Sequence, residues 1–296
     1  MSTPEIIRPG ERATVCLRLP GGWFHNNTGW IRGDDRVLLV DTCATEARTR
    51  HLLDSVRAEA GDLPLEVVLT HAHGDHANGA GQVERAGGTV HGTPRTAEDV
   101  HSGPHTHPEL LGELDWGNIA PPARIEPVPA TRTLELGNAR VSLHPVPGRA
   151  HTAGDLVVHH EREGVLFAGD LLFSGVTPLA LHGSIGGWIE ALDWLREFGA
   201  ETLVPGHGPI PPVGEKLLAE QRAYLRWLLE HTTEDEPDHA ALELCARERW
   251  PQWHDPERHA ANLRLAHAEN HGHEPDVTTA ARAMLSSAGG HIAVSL

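Results

Sequence analysis

Seven side chains of metal-binding type stand in one order along the chain: His71, His73, Asp75 and His76 in the run HAHGDH, then His151, Asp170 and His207. Five imidazoles and two carboxylates suit two neighbouring divalent cations, because zinc favours imidazole nitrogen with some carboxylate oxygen and a catalytic site keeps one position open. In an extended segment, residues two apart share a face. His71 and His73 can therefore grip one ion, with His151 as the third ligand. Asp75 and His76 are neighbours that a strand would point apart, so a turn must aim both at a second ion, which His207 completes. Asp170, with two oxygens, fits between the ions. A hydroxide shared by two cations roughly 3.5–4 Å apart is a strong nucleophile at neutral pH, and either cation polarises a carbonyl or phosphoryl oxygen. The pattern implies a binuclear hydrolytic centre in which Asp75 and Asp170 are the catalytic carboxylates.

In a chain with 23 histidines the surroundings must decide whether such a run means anything. Glu66-Val67-Val68-Leu69-Thr70 reads as a buried strand just ahead of the motif, and Asn78-Gly79-Ala80-Gly81 opens a small helix behind it. Strand-like runs also precede the other ligands: residues 140–143 before His151, 165–168 before Asp170 and 202–204 before His207. Ligands at the carboxyl ends of sheet strands are where open α/β sheets place their sites. Further strands are expected at 13–19, 28–32 and 36–41, with the turn Pro20-Gly21-Gly22-Trp23-Phe24 projecting aromatics toward the site edge. Helices are expected at 44–60, with Leu52, Leu53 and Val56 on one face, and at 186–198, with Trp188, Leu192 and Leu195 spaced to pack on a sheet.

After Pro209-Ile210-Pro211-Pro212 the pattern is helical, near 217–228, 238–248, 256–270 and 276–286. Residues 91–129 are rich in His, Pro and Gly and read as a substrate-facing insertion, in which His101, His105 and His107 lie in a solvated loop. His267 and His271, four apart, share a helix face and are assigned a surface or packing role.

The motifs HAHGDH, Ala150-His151-Thr152-Ala153-Gly154-Asp155, Phe167-Ala168-Gly169-Asp170 and Pro205-Gly206-His207-Gly208 resemble the metallo-β-lactamase superfamily over residues 10–212. The resemblance implies an α/β fold, a four-layer αβ/βα sandwich of two mixed sheets with helices outside and the site along one sheet edge. It implies two metals, usually zinc. His73 favours zinc and hydrolysis, since the oxygen-reducing branch carries Glu there, while iron and manganese stay open. On this reading residues 1–212 form the catalytic domain and 213–296 a C-terminal helical extension serving as lid or dimer surface. Asp41, in Asp41-Thr42-Cys43, would buttress the first ligand loop or cap the helix near Thr45. Asp155 is left a structural hydrogen-bonding role, although H-x-x-G-D recurs at 71–75 and 151–155 and fits a fold of two related halves. Two departures bear on loop geometry: Arg149-Ala150 follows Gly148 where relatives place Gly directly before the third His, and Cys43 stands where Gly is common.

With 24 Lys and Arg against 41 Asp and Glu, the formal charge is −17. That field repels phosphate backbones, and no basic cluster or aromatic platform offers a nucleic acid a surface. Cys16, Cys43 and Cys245 are odd in number and unpaired by spacing, which suits a reducing cytoplasm. No run is long enough to span a membrane, and MSTPEIIRPGERA lacks the basic-then-apolar pattern of a secretory signal. A cytoplasmic protein is expected.

A narrower resemblance rests on Gly21-Gly22-Trp23, Leu114-Asp115-Trp116-Gly117, the run from Phe167 to Gly187, Tyr224-Leu225-Arg226-Trp227 and Ala261-Asn262-Leu263. These are similar to the cyclase/thioesterases of bacterial aromatic polyketide pathways, the actinorhodin type in particular. The resemblance implies a poly-β-ketone held as a thioester on an acyl carrier protein, closed into a ring by enolate attack and then released by hydrolysis. Residues 171–179 would wall the substrate pocket with Trp23, Phe24, Trp116 and Phe173, or pack as ordinary core, and His182 is a candidate proton donor in the same run. Two other readings share the ligands: a thioesterase or lactonase of the glyoxalase II kind acting on a small soluble acyl substrate, and a non-catalytic binding protein that keeps the fold.

Overall fold

The computed structural model describes residues 4–296. Strands β1 (Glu5–Ile7), β2 (Ala13–Leu17), β3 (Thr28–Arg32), β4 (Val37–Val40), β5 (Leu65–Val68), β6 (Thr89–Gly92) and β7 (Glu126–Pro127) lie side by side in that order. The pairs from β1 to β4 are antiparallel and those from β4 to β7 parallel. Strands β8 (Arg132–Glu135), β9 (Arg140–Pro145), β10 (Leu156–His160), β11 (Val165–Phe173) and β12 (Thr202–His207) form the second sheet, in the order β12-β11-β10-β9-β8, with only β11 and β12 parallel.

The strands alternate faces as a two-residue period requires. On β4, Leu38 and Val40 join an apolar cluster with Val158, Val165 and Phe167 of the other sheet, while Val37 and Leu39 turn outward to Leu52 and Val56. The space between the sheets is tight at Gly29, where an added Cβ would lie 2.6 Å from the Thr14 carbonyl oxygen and 2.8 Å from Phe167 Cζ. Any side chain there would have to push a core ring aside.

Helices complete the layers: α1 (Glu46–Ala60), α2 (Gly74–Ala77), α3 (Ala80–Arg85), α4 (Pro94–His101) and α5 (Pro108–Leu111) belong to the first half of the chain, and α6 (Ile185–Leu195) to the second. Thr45 caps α1 by accepting from the Arg48 backbone N–H, with Glu46 in the first turn and Arg57 in the last complementing the helix dipole. Helices α7 (Gly214–His231), α8 (His239–Arg249), α9 (Arg258–Asn270) and α10 (Val277–Ser287) follow. Their Leu217, Tyr224, Leu228, Trp250 and Leu263 share one apolar cluster with Leu166, Trp188 and Leu192 of the second half. Asn262 of α9 stitches this layer to the stretch after β11, donating to the Pro178 carbonyl (2.7 Å) and accepting from Ala180 N–H (2.8 Å). No helix among the described residues is long and apolar enough to cross a membrane.

The expected helices and most expected strands lie within a few residues of their anticipated limits, whereas β1, β6, β7, β8, β10, α4 and α5 had no counterpart in the sequence reading. One placement needs correcting. Asp170 does not follow the end of a strand: β11 continues to Phe173, with register irregularities around Gly169 that interrupt its regular pairing with β12.

Glu66 of β5 is nearly buried and accepts from His91 Nε2 of β6 at 2.8 Å and from the Arg36 guanidinium. The His91 bond, helped by Arg36 and opposed by burial, lowers its pKa from 4.5 to about 2. A depressed carboxyl stabilises the fold above its unfolded value and loses that contribution as pH falls through the folded one. Glu66→Gln is therefore expected to cost about 1–3 kcal/mol at neutral pH. Urea midpoints of variant and wild type should converge as pH falls from 4.5 toward 2.

Candidate metal centre and cleft

The first ligand loop leaves β5 through a bend at Thr70 and His71. His73 is extended at the N-cap of α2, which begins at Gly74, so the helical turn swings Asp75 and His76 inward. Gly74 is required by a close approach: an added Cβ would meet the His105 carbonyl oxygen at 2.5 Å. His207 ends β12, Asp170 lies within β11, and His151 sits between β9 and β10 in a loop where Asp155 accepts from Thr152 N–H at 2.8 Å.

These elements bring all seven predicted ligands together. The donor atoms of His71, His73, His151 and Asp170 lie within 4.8 Å of one another, as do those of Asp75, His76 and His207. His73 Nδ1 is 3.1 Å from His71 Nε2 and 2.9 Å from His151 Nε2. Asp170 spans both groups, with Oδ2 3.7 Å from His71 Nε2, 3.5 Å from His151 Nε2 and 3.5 Å from His207 Nε2, and Oδ1 3.1 Å from His76 Nε2. Asp75 Oδ2 is 3.1 Å from His207 Nε2. A tetrahedral zinc with bonds of about 2.0–2.1 Å separates its ligands by about 3.3 Å, so these spacings match the edges of a coordination polyhedron.

Hydrogen bonds on the far side of the rings fix how the imidazoles face. Thr70 Oγ1 donates to Asp41 Oδ2 at 2.7 Å, so it accepts from His71 Nδ1–H at 3.0 Å. His76 Nδ1–H donates to Asp41 Oδ2 at 2.8 Å, and His207 Nδ1–H to the Gly21 carbonyl at 2.8 Å. Each assignment leaves an Nε2 lone pair directed at the common centre. Asp41 also accepts from Thr70 N–H at 2.7 Å, while Thr45 caps α1, so of its two anticipated roles the geometry gives Asp41 the buttressing one. His76 Nε2 and Asp170 Oδ1 are buried and face each other at 3.1 Å without a well-formed hydrogen bond to any group, an arrangement that a cation held between them would satisfy. The residues fit a divalent pair.

The electrostatics agree. Burial, then the neighbouring imidazoles, drive His71 and His73 well below the ordinary histidine range, toward the neutral form that binds metals. Burial opposes charge on His76 and His207 too, but Asp170 and the other carboxylates outweigh it, holding His76 well above its usual range and His207 at about 9. Burial likewise resists ionisation of Asp75 and Asp170, yet His76 and His207 keep both below the usual carboxylate range. Cations at the centre would take over the charge-balancing role that protons on His76 and His207 otherwise fill.

Above the centre opens a narrow cleft. Trp23, Phe24, Phe173 and His182 line it as anticipated, and the Phe173 ring stacks on His207 at 5.2 Å. Trp116 does not reach the lining: it packs edge-on behind Phe24 at 5.1 Å. Of residues 171–179 only Phe173 and Leu179 face the cleft, whereas Leu171, Leu172 and Val176 belong to the core. The expectation of a solvated loop for His105 and His107 is corrected, because both line the cleft and His105 stands 6.2 Å from the His73 ring. His101 instead lies beside the Pro122 carbonyl, Nε2 to O 3.1 Å. Leu110, Leu111, Leu181, Arg258 and Met284 complete the wall unanticipated. A helical period says which side of α9 or α10 is apolar, and nothing local says that one end of it meets a cleft. His267 and His271 do share a helix face, with ring centroids 4.4 Å apart, beside Asp235. Cys16, Cys43 and Cys245 are all free.

The family model described as the metallo-beta-lactamase superfamily matches residues 21–207. The metallo-beta-lactamase type 2 of Bacillus sp. (strain 170) is 23% identical over 229 residues, covering 71% of this chain and 82% of that one. The acyl-coenzyme A thioesterase MBLAC2 of Homo sapiens is 26% identical over 229 residues, covering 69% and 75%. The solved metallo-beta-lactamase from Pontibacter korlensis has the same fold, with a TM-score of 0.63 at 20% identity over 75% of this chain and 99% of that one. The chain belongs to the metallo-beta-lactamase superfamily.

Proposed function

We propose that the chain is a hydrolase of acyl thioesters that works with two divalent cations, zinc in the first instance. The carrying observation is the placement of five imidazoles and two carboxylates at the floor of a cleft whose walls are mainly apolar. A bound cation pair supplies an activated water and a Lewis acid for the carbonyl. The protein's part is preorganisation: with Nδ1 of His71, His76 and His207 already engaged, the centre needs no ring rotation to meet charge. Asp75 and Asp170 hold negative charge there, and Asp170 reaches both ligand groups. Trp23, Phe24, Leu110, Phe173, Leu179 and Met284 offer an acyl chain a dry, partly aromatic surface.

Similarity to a human acyl-coenzyme A thioesterase supports a thioester as the substrate. Within that class we place the substrate among acyl groups carried by a larger thiol, the polyketide cyclase/thioesterase being the narrowest version and an acyl carrier protein the corresponding partner. The extension from residue 213 acts as a lid in this reading, since Arg258 and Met284 belong to it and line the cleft. Three unpaired cysteines suit work in a reducing cytoplasm.

Purified protein should hydrolyse medium- and long-chain acyl-coenzyme A faster than acetyl-coenzyme A, lose that activity to a chelator and regain it with zinc. A metal-replete preparation that cleaves no thioester, or an activity indifferent to chelation, contradicts the proposal; preference for the acetyl ester points to the small-substrate reading. Supplied with a poly-β-ketone thioester of a small thiol, the enzyme should release a ring-closed acid, and release of only the linear acid removes the cyclase.

Asp170→Asn is expected to lower turnover by at least about 10²-fold, the scale of a lost electrostatic contact in a water-poor site. Asp41→Asn, which loses charge beside His76 without touching the centre, should weaken zinc binding about 10–100-fold, read by competition with a chromophoric chelator.

A further inference from the structure

His73 differs from the other imidazoles in what holds its far nitrogen. Its Nδ1 converges with His71 Nε2 and His151 Nε2, so Nε2 is the nitrogen that must carry the hydrogen when His73 serves as a ligand. Thr70, Asp41 and the Gly21 carbonyl receive the outward N–H groups of His71, His76 and His207. The atom beside His73 Nε2 is instead Nδ1 of another imidazole, His182, at 3.0 Å. His182 comes from the stretch between β11 and α6, 109 residues along the chain, in the opposite half of the sandwich.

That stretch is held where it is. The His182 carbonyl accepts from Arg149 Nε at 3.1 Å, Ser184 N–H donates to the Ala150 carbonyl at 2.8 Å, and Glu269 of α9 accepts from Ile185 N–H at 2.7 Å. The next residue, Gly183, lies so close to the His151 loop that an added Cβ would stand 2.5 Å from the His151 carbonyl oxygen. One short segment therefore braces the loop of one ligand, His151, and touches the ring of another, His73.

We propose that His182 is a positioning residue for the metal centre: as acceptor for His73 Nε2–H it fixes the ring and tautomer of that ligand and couples the 174–184 stretch to the first metal set. The inference rests on the metal reading of the site. An imidazole that accepts at Nδ1 must carry its own proton on Nε2, so the same bond gives the cleft wall a fixed donor at a residue that lines it. A change in the 174–184 stretch would thus reach the metal as well as the substrate.

The test is zinc binding, measured by chelator competition on the purified full-length protein, for wild type, His182→Ala and His182→Asn, each checked for an unchanged far-ultraviolet circular dichroism spectrum. Asn keeps an acceptor at the position of Nδ1 and Ala keeps none. His182→Ala should weaken one of the two zinc ions about 10–100-fold, the scale for losing a partner of a ligating histidine. It should leave the other ion within about threefold of wild type, and His182→Asn should recover most of the loss. Wild type binding two ions with both variants matching it overturns the role of His182 and leaves the metal centre standing. Equal losses in Ala and Asn show that bulk at the site mattered and the hydrogen bond did not, which also overturns it. Wild type that takes up no zinc overturns both.

Discussion

Negative charge buried inside the fold is the constraint on which this molecule turns. Asp41, Asp75 and Asp170 are each less than a tenth exposed, and all three lie against the His76 ring. An uncompensated buried carboxylate costs several kcal/mol, so the surroundings must answer each one. Asp41 is answered by Thr70 and His76 within the protein. Asp75 and Asp170 are answered chiefly by His76 and His207, whose pKa values they raise, and a cation pair meets the same demand without those protons. The groups involved come from the end of β4, the β5–α2 loop and α2, the loop before β10, the middle of β11 and the end of β12, and they meet only when the two sheets close on each other. Folding and assembly of the centre are therefore one event, and metal binding should stabilise the fold by mass action.

Much of this was legible in the sequence because ligand chemistry is local and typed. HAHGDH placed after an apolar β-branched run specifies both the donors and the need for a turn, and α2 supplies that turn at Gly74. The remaining ligands could be found because each follows a strand-like run. Asp170 shows the limit of that rule: β11 runs past it, and only the irregular pairing with β12 lets a residue inside a strand serve the site. The short edge strands escaped notice because two to four residues carry too little period to read, as with Glu126–Pro127.

The cleft was less legible, for a physical reason. Aromatics in the 20–24 turn could be guessed from their nearness to a ligand strand, but Trp116 packs behind Phe24, and its place was taken by leucines, His105 and Met284. Those positions depend on how α5, α9 and α10 dock, which is decided by packing among elements far apart in sequence. The His-, Pro- and Gly-rich run around His105 and His107 reads as a solvated loop in sequence; in space the neighbour is the ligand loop itself, closed over Gly74. The family match ends at His207, so α9 and α10, which add Arg258 and Met284 to the cleft wall, lie beyond the part of the chain that carries the seven clustered side chains. That division is physically sensible, since the ligand set fixes a type of chemistry and the roof selects what reaches it.

The claim under all of this is that seven side chains enclose two cations. Anomalous diffraction at the zinc edge from crystals of the zinc-loaded protein addresses it directly. Two peaks about 3.5–4 Å apart are expected, one bounded by His71, His73 and His151, the other by Asp75, His76 and His207, with Asp170 reaching both. A well-ordered protein with no peak among those residues, or with its zinc held elsewhere, would contradict the account.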